Sequence, residues 1–357
     1  MEKELRLMKG NEAIAEAAIR AGVDGYFGYP ITPQSEILEY LMEANPYERT
    51  GMVVLQAESE IAAINMVYGG AGCGKKVMTS SSSPGISLKQ EGISYIAGAE
   101  LPCLIVNVAR GGPGLGTIQP AQSDYFQSVK GGGHGDYHLI VLAPASVQEM
   151  ADFVELGFDL AFKYRNPVLI LSDGAIGQMM EKVYLMPQKQ RSTELLDWAT
   201  TGKGNREERN IITSLDLDPD GQEEFNHKLQ AKYAEIQKNE VRFEEFQCDD
   251  ADYLLVAYGT SARVCQKSVQ IARDHGIKAG LLRPITLFPF PSARIKELGD
   301  RVKGILSVEM SAGQMVEDVM LSVGSKVPVK HFGRMGGIVT TPDEVVEQLK
   351  HIFIGGK

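Results

Sequence analysis

Short apolar runs alternate with longer mixed stretches through the first half of this 357-residue chain. The apolar runs predict strands at residues 25–29, 53–56, 76–80, 104–108, 140–142 and 168–171. The stretches between them predict helices at residues 11–21, 35–43, 60–69 and 85–98. Such alternation predicts an α/β fold with a doubly wound, largely parallel sheet that is covered by helices on both faces.

The pattern changes at residue 191 and again near residue 250. Residues 191–250 are charged and irregular, with a long helix predicted only at residues 223–238, so we interpret this segment as a linker or excursion outside the core. Strands return at residues 253–258, 280–282, 304–308 and 327–331, with a Gly259-Thr260-Ser261 turn before a helix. The predicted division is therefore residues 1–190, residues 191–250, and a smaller α/β domain at residues 251–357.

Composition narrows the function. The net charge of -10 leaves no basic surface field for nucleic acid or an anionic membrane. The first residues lack the apolar stretch of a signal peptide, and no apolar run approaches the roughly 18 residues of a membrane span, so we expect a cytoplasmic protein. The four cysteines are scattered without a Cys-x-x-Cys pair, so any iron–sulfur cluster would belong to another chain.

Three stretches at or near the ends of predicted strands carry candidate chemistry, because ligands gather at the carboxyl ends of strands in such sheets. In the first, Tyr29-Pro30-Ile31-Thr32-Pro33, two prolines restrict the backbone on both sides of a threonine. This rigidity suits a threonine that faces a ligand. The pattern also fits an ordinary loop in which Thr32 or Ser35 caps the next helix.

The second stretch, Gln56-Ala57-Glu58-Ser59-Glu60, places Glu60 at the start of a helix, where it either complements the helix dipole or points into a cleft. The third stretch ends a strand with Arg110 and continues as Gly111-Gly112-Pro113-Gly114. An arginine at this position can present its guanidinium to a carboxylate, and the alternative is an exposed arginine on a flexible loop.

Asp173-Gly174 bears on metal binding, because chains that hold a cofactor diphosphate through magnesium carry Gly-Asp-Gly followed by a downstream asparagine. Here Ser172 replaces the first glycine, and residues 197–204 contain no asparagine. We therefore predict no metal site on this chain, and a cofactor diphosphate would have to be held by another chain.

Four stretches, taken in order, resemble the α subunit of the 2-oxoacid:ferredoxin (acceptor) oxidoreductases, and the resemblance covers nearly the whole chain. They are Tyr29-Pro30-Ile31-Thr32-Pro33, Glu58-Ser59-Glu60-Ile61-Ala62-Ala63, Arg110-Gly111-Gly112-Pro113 and Arg283-Pro284-Ile285-Thr286-Leu287-Phe288-Pro289-Phe290-Pro291. The resemblance implies a pyrimidine-binding domain for thiamine diphosphate, followed by a smaller transketolase-C-like α/β domain.

The resemblance also implies roles for single residues. Glu60 would hydrogen-bond the aminopyrimidine ring of the cofactor, Thr32 would face cofactor and substrate, and Arg110 would bind the 2-oxoacid carboxylate. Tyr29, Pro30 and Ile31 would line the cofactor beside Thr32. A β subunit would hold the diphosphate and Mg2+, and [4Fe-4S] clusters would lie on partner chains, which include small γ and ferredoxin-like subunits.

The implied reaction is oxidative decarboxylation of a 2-oxoacid to an acyl-coenzyme A, with electrons passed to ferredoxin. The chain has no fused ferredoxin-like domain, so it resembles the split α subunits. The branched-chain type, which acts on 3-methyl-2-oxobutanoate, is favoured, and the 2-oxoglutarate type is the alternative. Two other classes stay open, a self-sufficient thiamine-dependent decarboxylase or transketolase and a non-enzymatic α/β binding module.

Overall fold

The computed structural model describes residues 4–355. The strands of the first half are β1 (Glu4–Lys9), β2 (Gly25–Gly28), β3 (Val53–Gln56), β4 (Val77–Ser81), β5 (Leu104–Ala109), β6 (Ile140–Leu142), β7 (Val168–Asp173) and β8 (Met180–Leu185). The helices of the first half are α1 (Gly10–Arg20), α2 (Ser35–Glu43), α3 (Pro46–Thr50), α4 (Glu60–Gly72), α5 (Ser83–Gly98), α6 (Tyr125–Val129), α7 (Val147–Tyr164) and α8 (Gly174–Gln178).

The second half adds six strands and five α-helices within the described residues. The strands are β9 (Phe243–Phe246), β10 (Tyr253–Val256), β11 (Ala279–Pro284), β12 (Thr286–Phe288), β13 (Gly304–Glu309) and β14 (Val329–Gly333). The helices are α9 (Pro219–Asn239), α10 (Gly259–Asp274), α11 (Ser292–Gly299), α12 (Met315–Val323) and α13 (Pro342–Leu349), and a π-helical turn, Lys350–Ile354, follows. Between residues 4 and 355, every helix is too short or too polar to cross a bilayer.

The larger sheet has seven strands in the order β12-β6-β7-β5-β4-β2-β3. All its pairings are parallel except that of β12 with β6. Strands β4, β5 and β7 are buried along their whole length, as expected for parallel strands covered on both faces. From β2 the chain crosses to β3 on one side, and from β4 it crosses to β5 on the other. This reversal opens a crevice at the carboxyl ends of β2 and β4.

The second sheet has five strands in the order β14-β13-β10-β11-β9, with β9 antiparallel to β11. Alternate residues of β10 enter different cores, because successive side chains of a strand point to opposite faces. Leu254 and Val256 join the large core that also fills the first sheet, and Leu255 lies in a separate core beneath α10 and α13. The doubly wound fold class and the presence of a second α/β unit are therefore confirmed.

Residues 219–250 contribute to the core, whereas residues 191–218 are almost all exposed or half-buried, so the interpretation of the segment as a linker or excursion outside the core is wrong for its second part. Helix α9 buries Leu229, Tyr233 and Ile236 against the first sheet's core, and β9 completes the second sheet. The Gly259-Thr260-Ser261 turn is the first turn of α10. The domain bounds 1–190, 191–250 and 251–357 stay a prediction, and β12 crosses them by joining the first sheet.

Gln122 joins the two sheets through a buried side chain whose polar atoms all find partners. Its Nε2 donates to the Tyr258 carbonyl at 2.8 Å, and its Oε1 accepts from Ser261 Oγ at 2.6 Å and from the Met310 amide at 3.0 Å. The Gln122 amide in turn donates to the Met310 carbonyl at 2.9 Å. The loop that follows Arg110 is thereby tied to the second sheet.

We expect Gln122→Leu to lower the free energy of unfolding by roughly 2–4 kcal/mol, because buried donors and acceptors on Tyr258, Ser261 and Met310 lose their partner. Gln119→Leu is the matched control, since Gln119 lies in the same loop with an exposed side chain. Chemical denaturation of both variants measures the effect. Equal losses in the two variants would contradict the role of the Gln122 network.

Candidate functional site

The loop at residues 29–34 is held in place by the buried side chain of Gln34. Its Nε2 donates to the Tyr29 carbonyl at 3.1 Å, and its Oε1 accepts from Ser80 Oγ on β4. Ser80 Oγ is also hydrogen-bonded to the Tyr26 hydroxyl at 2.6 Å. The loop after β2 is therefore fixed to the neighbouring strand β4 at the crevice.

Further along the loop, other elements bind the main-chain carbonyls. Pro33 accepts from Asn11 Nδ2 at 2.7 Å and from Gln178 Nε2 at 3.1 Å, and Thr32 accepts from Arg110 Nη1 at 2.8 Å. The Thr32 side chain is exposed and makes no hydrogen bond within residues 4–355. A rigid loop thus presents a free hydroxyl beside the arginine that the sequence singled out.

Arg110 is 6% exposed and has no carboxylate partner in the described part of the chain. Its Nη1 and Nη2 donate to the carbonyls of Thr32 and Leu115, at 2.8 and 3.0 Å, and its Nε is buried without a partner. A buried cation without a counter-ion is costly, and pairing with an anion removes much of that cost. The geometry around Arg110 therefore suits an anionic ligand.

Glu60 is the first residue of α4 and is 6% exposed. Ser59 caps the helix, accepting from the Ala62 amide at 3.2 Å, so the Glu60 side chain is not needed for capping. Within residues 4–355 its carboxylate makes neither a hydrogen bond nor an ion pair. Gly85 on α5 leaves room for it, because a Cβ there would lie 2.7 Å from Glu60 Oε1.

Other buried polar atoms at the same edge of the sheet lack partners within the described residues. They lie at or just beyond the carboxyl ends of the adjacent strands β4, β5 and β7, and they are Ser81 Oγ, Ser82 Oγ, Asn107 Oδ1 and Ser172 Oγ. Buried polar groups are usually hydrogen-bonded, and groups without partners mark places that water or a ligand completes. Together with Glu60 and Arg110, they locate the candidate site at the carboxyl edge of the sheet.

Ser83 fixes the backbone of Arg110, a role of its side chain that sequence reasoning missed. Ser83 Oγ accepts from the Arg110 amide at 3.0 Å and donates to Asp124 Oδ2 at 2.6 Å, which also accepts from Asn107 Nδ2 at 2.8 Å. Burial raises the pKa of Asp124, and these two hydrogen bonds oppose the rise. A cavity of about 620 Å³ opens here between the two sheets, lined by residues that include Ser83, Asp124, Met310 and Gln314.

Asp173 serves the junction between the sheets. Its Oδ1 accepts from the Ala175 and Ile176 amides and from Thr260 Oγ1, the last at 2.8 Å. Burial raises the pKa of Asp173, and these hydrogen bonds lower it. The carboxylate thus caps α8 and binds the first turn of α10.

Lys89 was also missed, although the sequence carried a signal for it. It occupies an inward position on α5 between the buried Ile86 and Ile93. Its side chain is fully buried, and its Nζ donates to Thr79 Oγ1 at 2.9 Å. Burial lowers the pKa of Lys89 to about 8, and the Glu60 carboxylate partly offsets this effect.

A doubly wound sheet with an unpaired acid and an unpaired arginine at its carboxyl edge is typical of a subunit that binds a cofactor and an anionic substrate. Residues 16–245 match the family described as pyruvate flavodoxin/ferredoxin oxidoreductase, thiamine diphosphate-binding. Residues 251–345 match pyruvate:ferredoxin oxidoreductase core domain II. The chain belongs to the pyruvate flavodoxin/ferredoxin oxidoreductase family, which confirms the resemblance to 2-oxoacid:ferredoxin oxidoreductases.

Full-length relatives agree with this assignment. The chain is 54% identical over 349 residues to the ketoisovalerate oxidoreductase subunit VorB of Methanothermobacter thermautotrophicus, covering 97% of each chain. It is 37% identical over 356 residues to the 2-oxoglutarate synthase subunit KorA of Archaeoglobus fulgidus, covering 96% of this chain and 98% of that one.

A solved structure is similar over nearly the whole chain. It is the 2-oxoglutarate:ferredoxin oxidoreductase from Magnetococcus marinus with 2-oxoglutarate, coenzyme A and succinyl-CoA bound. The TM-score is 0.86 at 29% identity, and the match covers 98% of this chain and 65% of that one. Single-residue roles stay predictions for Glu60, for Arg110 and for the loop that contains Tyr29 and Thr32. The geometry above supports them.

The buried charge of Lys89 predicts a pH-dependent difference in stability between the wild type and Lys89→Met. An unfolded lysine keeps its proton up to about pH 10.4, whereas the folded chain releases it near pH 8. Between these values the unfolded state binds more protons, so the wild type gains stability as the pH rises.

We therefore expect the stability of the wild type, relative to Lys89→Met, to rise by roughly 2–3 kcal/mol between about pH 7 and about pH 10. Urea denaturation at stepped pH values measures this difference, and groups that titrate in both proteins cancel. A difference independent of pH would show that Lys89 has an ordinary pKa.

Proposed function

We propose that this chain is the α subunit of a 2-oxoacid:ferredoxin oxidoreductase, with a branched-chain 2-oxoacid such as 3-methyl-2-oxobutanoate as substrate. The observation that carries the proposal is that an acid, Glu60, and a cation, Arg110, lie at one edge of a doubly wound sheet, each only 6% exposed and without an ion-pair partner within residues 4–355. The cofactor ring requires a carboxylate such as that of Glu60, and the substrate carboxylate requires a cation such as Arg110.

The residues around Glu60 fit the pyrimidine ring of thiamine diphosphate. A carboxylate at a helix start, in a residue that is only 6% exposed and has no protein partner within residues 4–355, can share a proton with a ring nitrogen. Gly85 lies against this carboxylate and leaves it unobstructed, since any side chain at residue 85 would collide with it. When bound, thiamine diphosphate supplies the nucleophilic carbon and the electron sink for loss of carbon dioxide.

Arg110 and Thr32 would orient the 2-oxoacid. A guanidinium carries five N–H donors, and two of its nitrogens are held by the carbonyls of Thr32 and Leu115. The remaining donors, including that on the buried Nε, can bind the substrate carboxylate. The Thr32 hydroxyl on its rigid loop would donate to a substrate oxygen, so that both residues restrict the substrate to one orientation.

Partner chains would complete the site. Helices α4 and α5, which flank Glu60, expose the large apolar side chains of Ile61, Met66, Leu88 and Tyr95. Large exposed apolar side chains on two neighbouring helices are typical of a protein interface. We assign this surface to a β subunit that holds the diphosphate and Mg2+. The γ and ferredoxin-like subunits would carry the [4Fe-4S] clusters. Coenzyme A would accept the acyl group, and the complex would work in the cytoplasm.

The surroundings of Arg110 favour a branched-chain substrate over 2-oxoglutarate. Leu115, whose carbonyl holds the Arg110 guanidinium, is an exposed apolar residue, and no charged residue lies in the 111–118 loop. An aliphatic substrate chain suits such a surface, whereas a distal carboxylate requires a second cation. The 54% identity to a ketoisovalerate oxidoreductase subunit supports the same choice.

We expect Glu60→Gln to reduce kcat of the reconstituted complex by roughly 10²–10⁴-fold, because the amide cannot exchange a proton with the cofactor ring. Glu58→Gln is the matched control, since Glu58 precedes the same helix and is exposed. The assay follows reduction of a low-potential acceptor with 2-oxoacid and coenzyme A. Full activity of Glu60→Gln would refute the proposed function of this residue.

We expect the complex to prefer 3-methyl-2-oxobutanoate to 2-oxoglutarate. We expect Leu115→Arg to shift the ratio of kcat/KM values towards 2-oxoglutarate by roughly tenfold or more, because the new cation would face the distal carboxylate of 2-oxoglutarate. The control is Leu321→Arg, which introduces the same charge at a similarly exposed leucine on α12. Kinetics with a panel of 2-oxoacids provide the test. A wild-type preference for 2-oxoglutarate would favour the alternative substrate type.

A further inference from the structure

Lys89 lies on the face of α5 that packs against α4. Gly85, Lys89 and Gly92 share this face, because residues four and seven positions apart lie above one another on a helix. A Cβ at Gly85 would lie 2.7 Å from Glu60 Oε1, and a Cβ at Gly92 would lie 2.5 Å from Ile64 Cγ2. Lys89 therefore lies along α5 between the levels of Glu60 and Ile64.

Contacts with strand β4 also place Lys89 close to the level of Glu60. The Lys89 ammonium donates to Thr79 Oγ1 at 2.9 Å, and Thr79 and Ser81 point to the same side of β4. A Cβ at Gly85 would lie 2.0 Å from Ser81 Oγ, so Ser81 lies directly beneath Gly85 and close to Glu60. The ammonium is thus anchored one strand repeat, roughly 7 Å, from the level of the Glu60 carboxylate.

Glu60 and Lys89 are the charged groups in this part of the interior. Within residues 4–355 neither forms an ion pair, and the β4 residues that face them, Thr79 and Ser81, are neutral. The negative charge of Glu60 raises the pKa of Lys89 and so partly offsets the effect of burial, which lowers that pKa. Each buried charge is costly alone, and each lowers the cost of the other.

We propose that Lys89 is a positioning residue for Glu60: the Lys89 ammonium, anchored on Thr79, stabilises the negative charge of the carboxylate that shares a proton with the cofactor ring. This inference rests on the proposed function of Glu60. The Lys89 ammonium is a nearby positive charge for a carboxylate that has no ion-pair partner within residues 4–355. Lys89 itself is too deeply buried to touch cofactor or substrate.

The coupling is testable on the full chain without cofactor. Lysines labelled with ¹³C at Cε are titrated by NMR, and the Lys89 signal is identified by its loss in Lys89→Arg. In Glu60→Gln we expect Lys89 to titrate roughly one pH unit lower than in the wild type, because the neighbouring negative charge is gone. Glu58→Gln should leave the titration unchanged, and identical midpoints in both variants would overturn the proposal.

The effect on the reaction is testable in the reconstituted complex. We expect Lys89→Met to displace the pH profile of kcat and slow C2 proton exchange of bound thiamine diphosphate, with KM for the 2-oxoacid unchanged, and Lys89→Arg to restore both. A Lys89→Met complex with a wild-type pH profile and exchange rate would overturn the proposal. The cofactor-free titration keeps its meaning if Glu60→Gln proves fully active, so failure of the proposed function is distinguishable from failure of the coupling.

Discussion

The candidate site depends on the hydrogen bonds by which Arg110 binds main-chain carbonyls. One guanidinium nitrogen holds Thr32 in the loop after β2, and the other holds Leu115 in the loop after β5. Because both loops are anchored on one side chain, the free Thr32 hydroxyl and the free Arg110 Nε keep a constant distance and orientation. The backbone of Arg110 is fixed in turn by Ser83 at the start of α5, so three neighbouring strand ends share one rigid constellation.

A second set of buried contacts holds the two sheets at a constant orientation. Gln122 binds the second sheet, Asp173 binds Thr260, and Arg283 forms a bidentate pair with Glu149 at 2.6 and 2.7 Å. Each contact joins residues far apart in sequence and is largely shielded from water, so its loss would leave unsatisfied groups behind. The cavity between the two sheets, which Asp124 and Met310 line, therefore has a defined width.

The parts of the fold that could be predicted from sequence are those in which burial leaves a continuous signal. Strands β4, β5 and β7 are apolar runs because both of their faces are covered. Strand β1 was missed because half of its residues are charged and half are exposed, although it pairs with β8. Helix α9 was predicted, but three inward residues among mostly polar ones gave too weak a pattern to place it in the core.

The same distinction applies to the site. Local sequence identified Thr32, Glu60 and Arg110, because each stands at or near the end of a strand beside proline, glycine or a helix start. Their surroundings could not be predicted, because the contacts join distant positions, such as Thr32 and Arg110, 78 residues apart. Gln34 looks like any residue before a helix, whereas Lys89 interrupts an apolar face between Ile86 and Ile93. A charge at an inward helical position is the one local signal that pointed to the site and was overlooked.

The unsatisfied groups of this chain fit the proposal that it carries only half of a site. Glu60, Arg110 Nε, Ser81 Oγ, Ser82 Oγ and Asn107 Oδ1 lie at one edge, in buried residues, without hydrogen-bond partners in the described residues. A chain selected for its own stability alone would pair or replace them, because each unsatisfied buried group costs about 1–3 kcal/mol. Their persistence beside the exposed apolar surface of α4 and α5 is understood if ligand and partner chain together complete the hydrogen bonds. The stability that this chain lacks by itself then appears as binding free energy when the complex assembles.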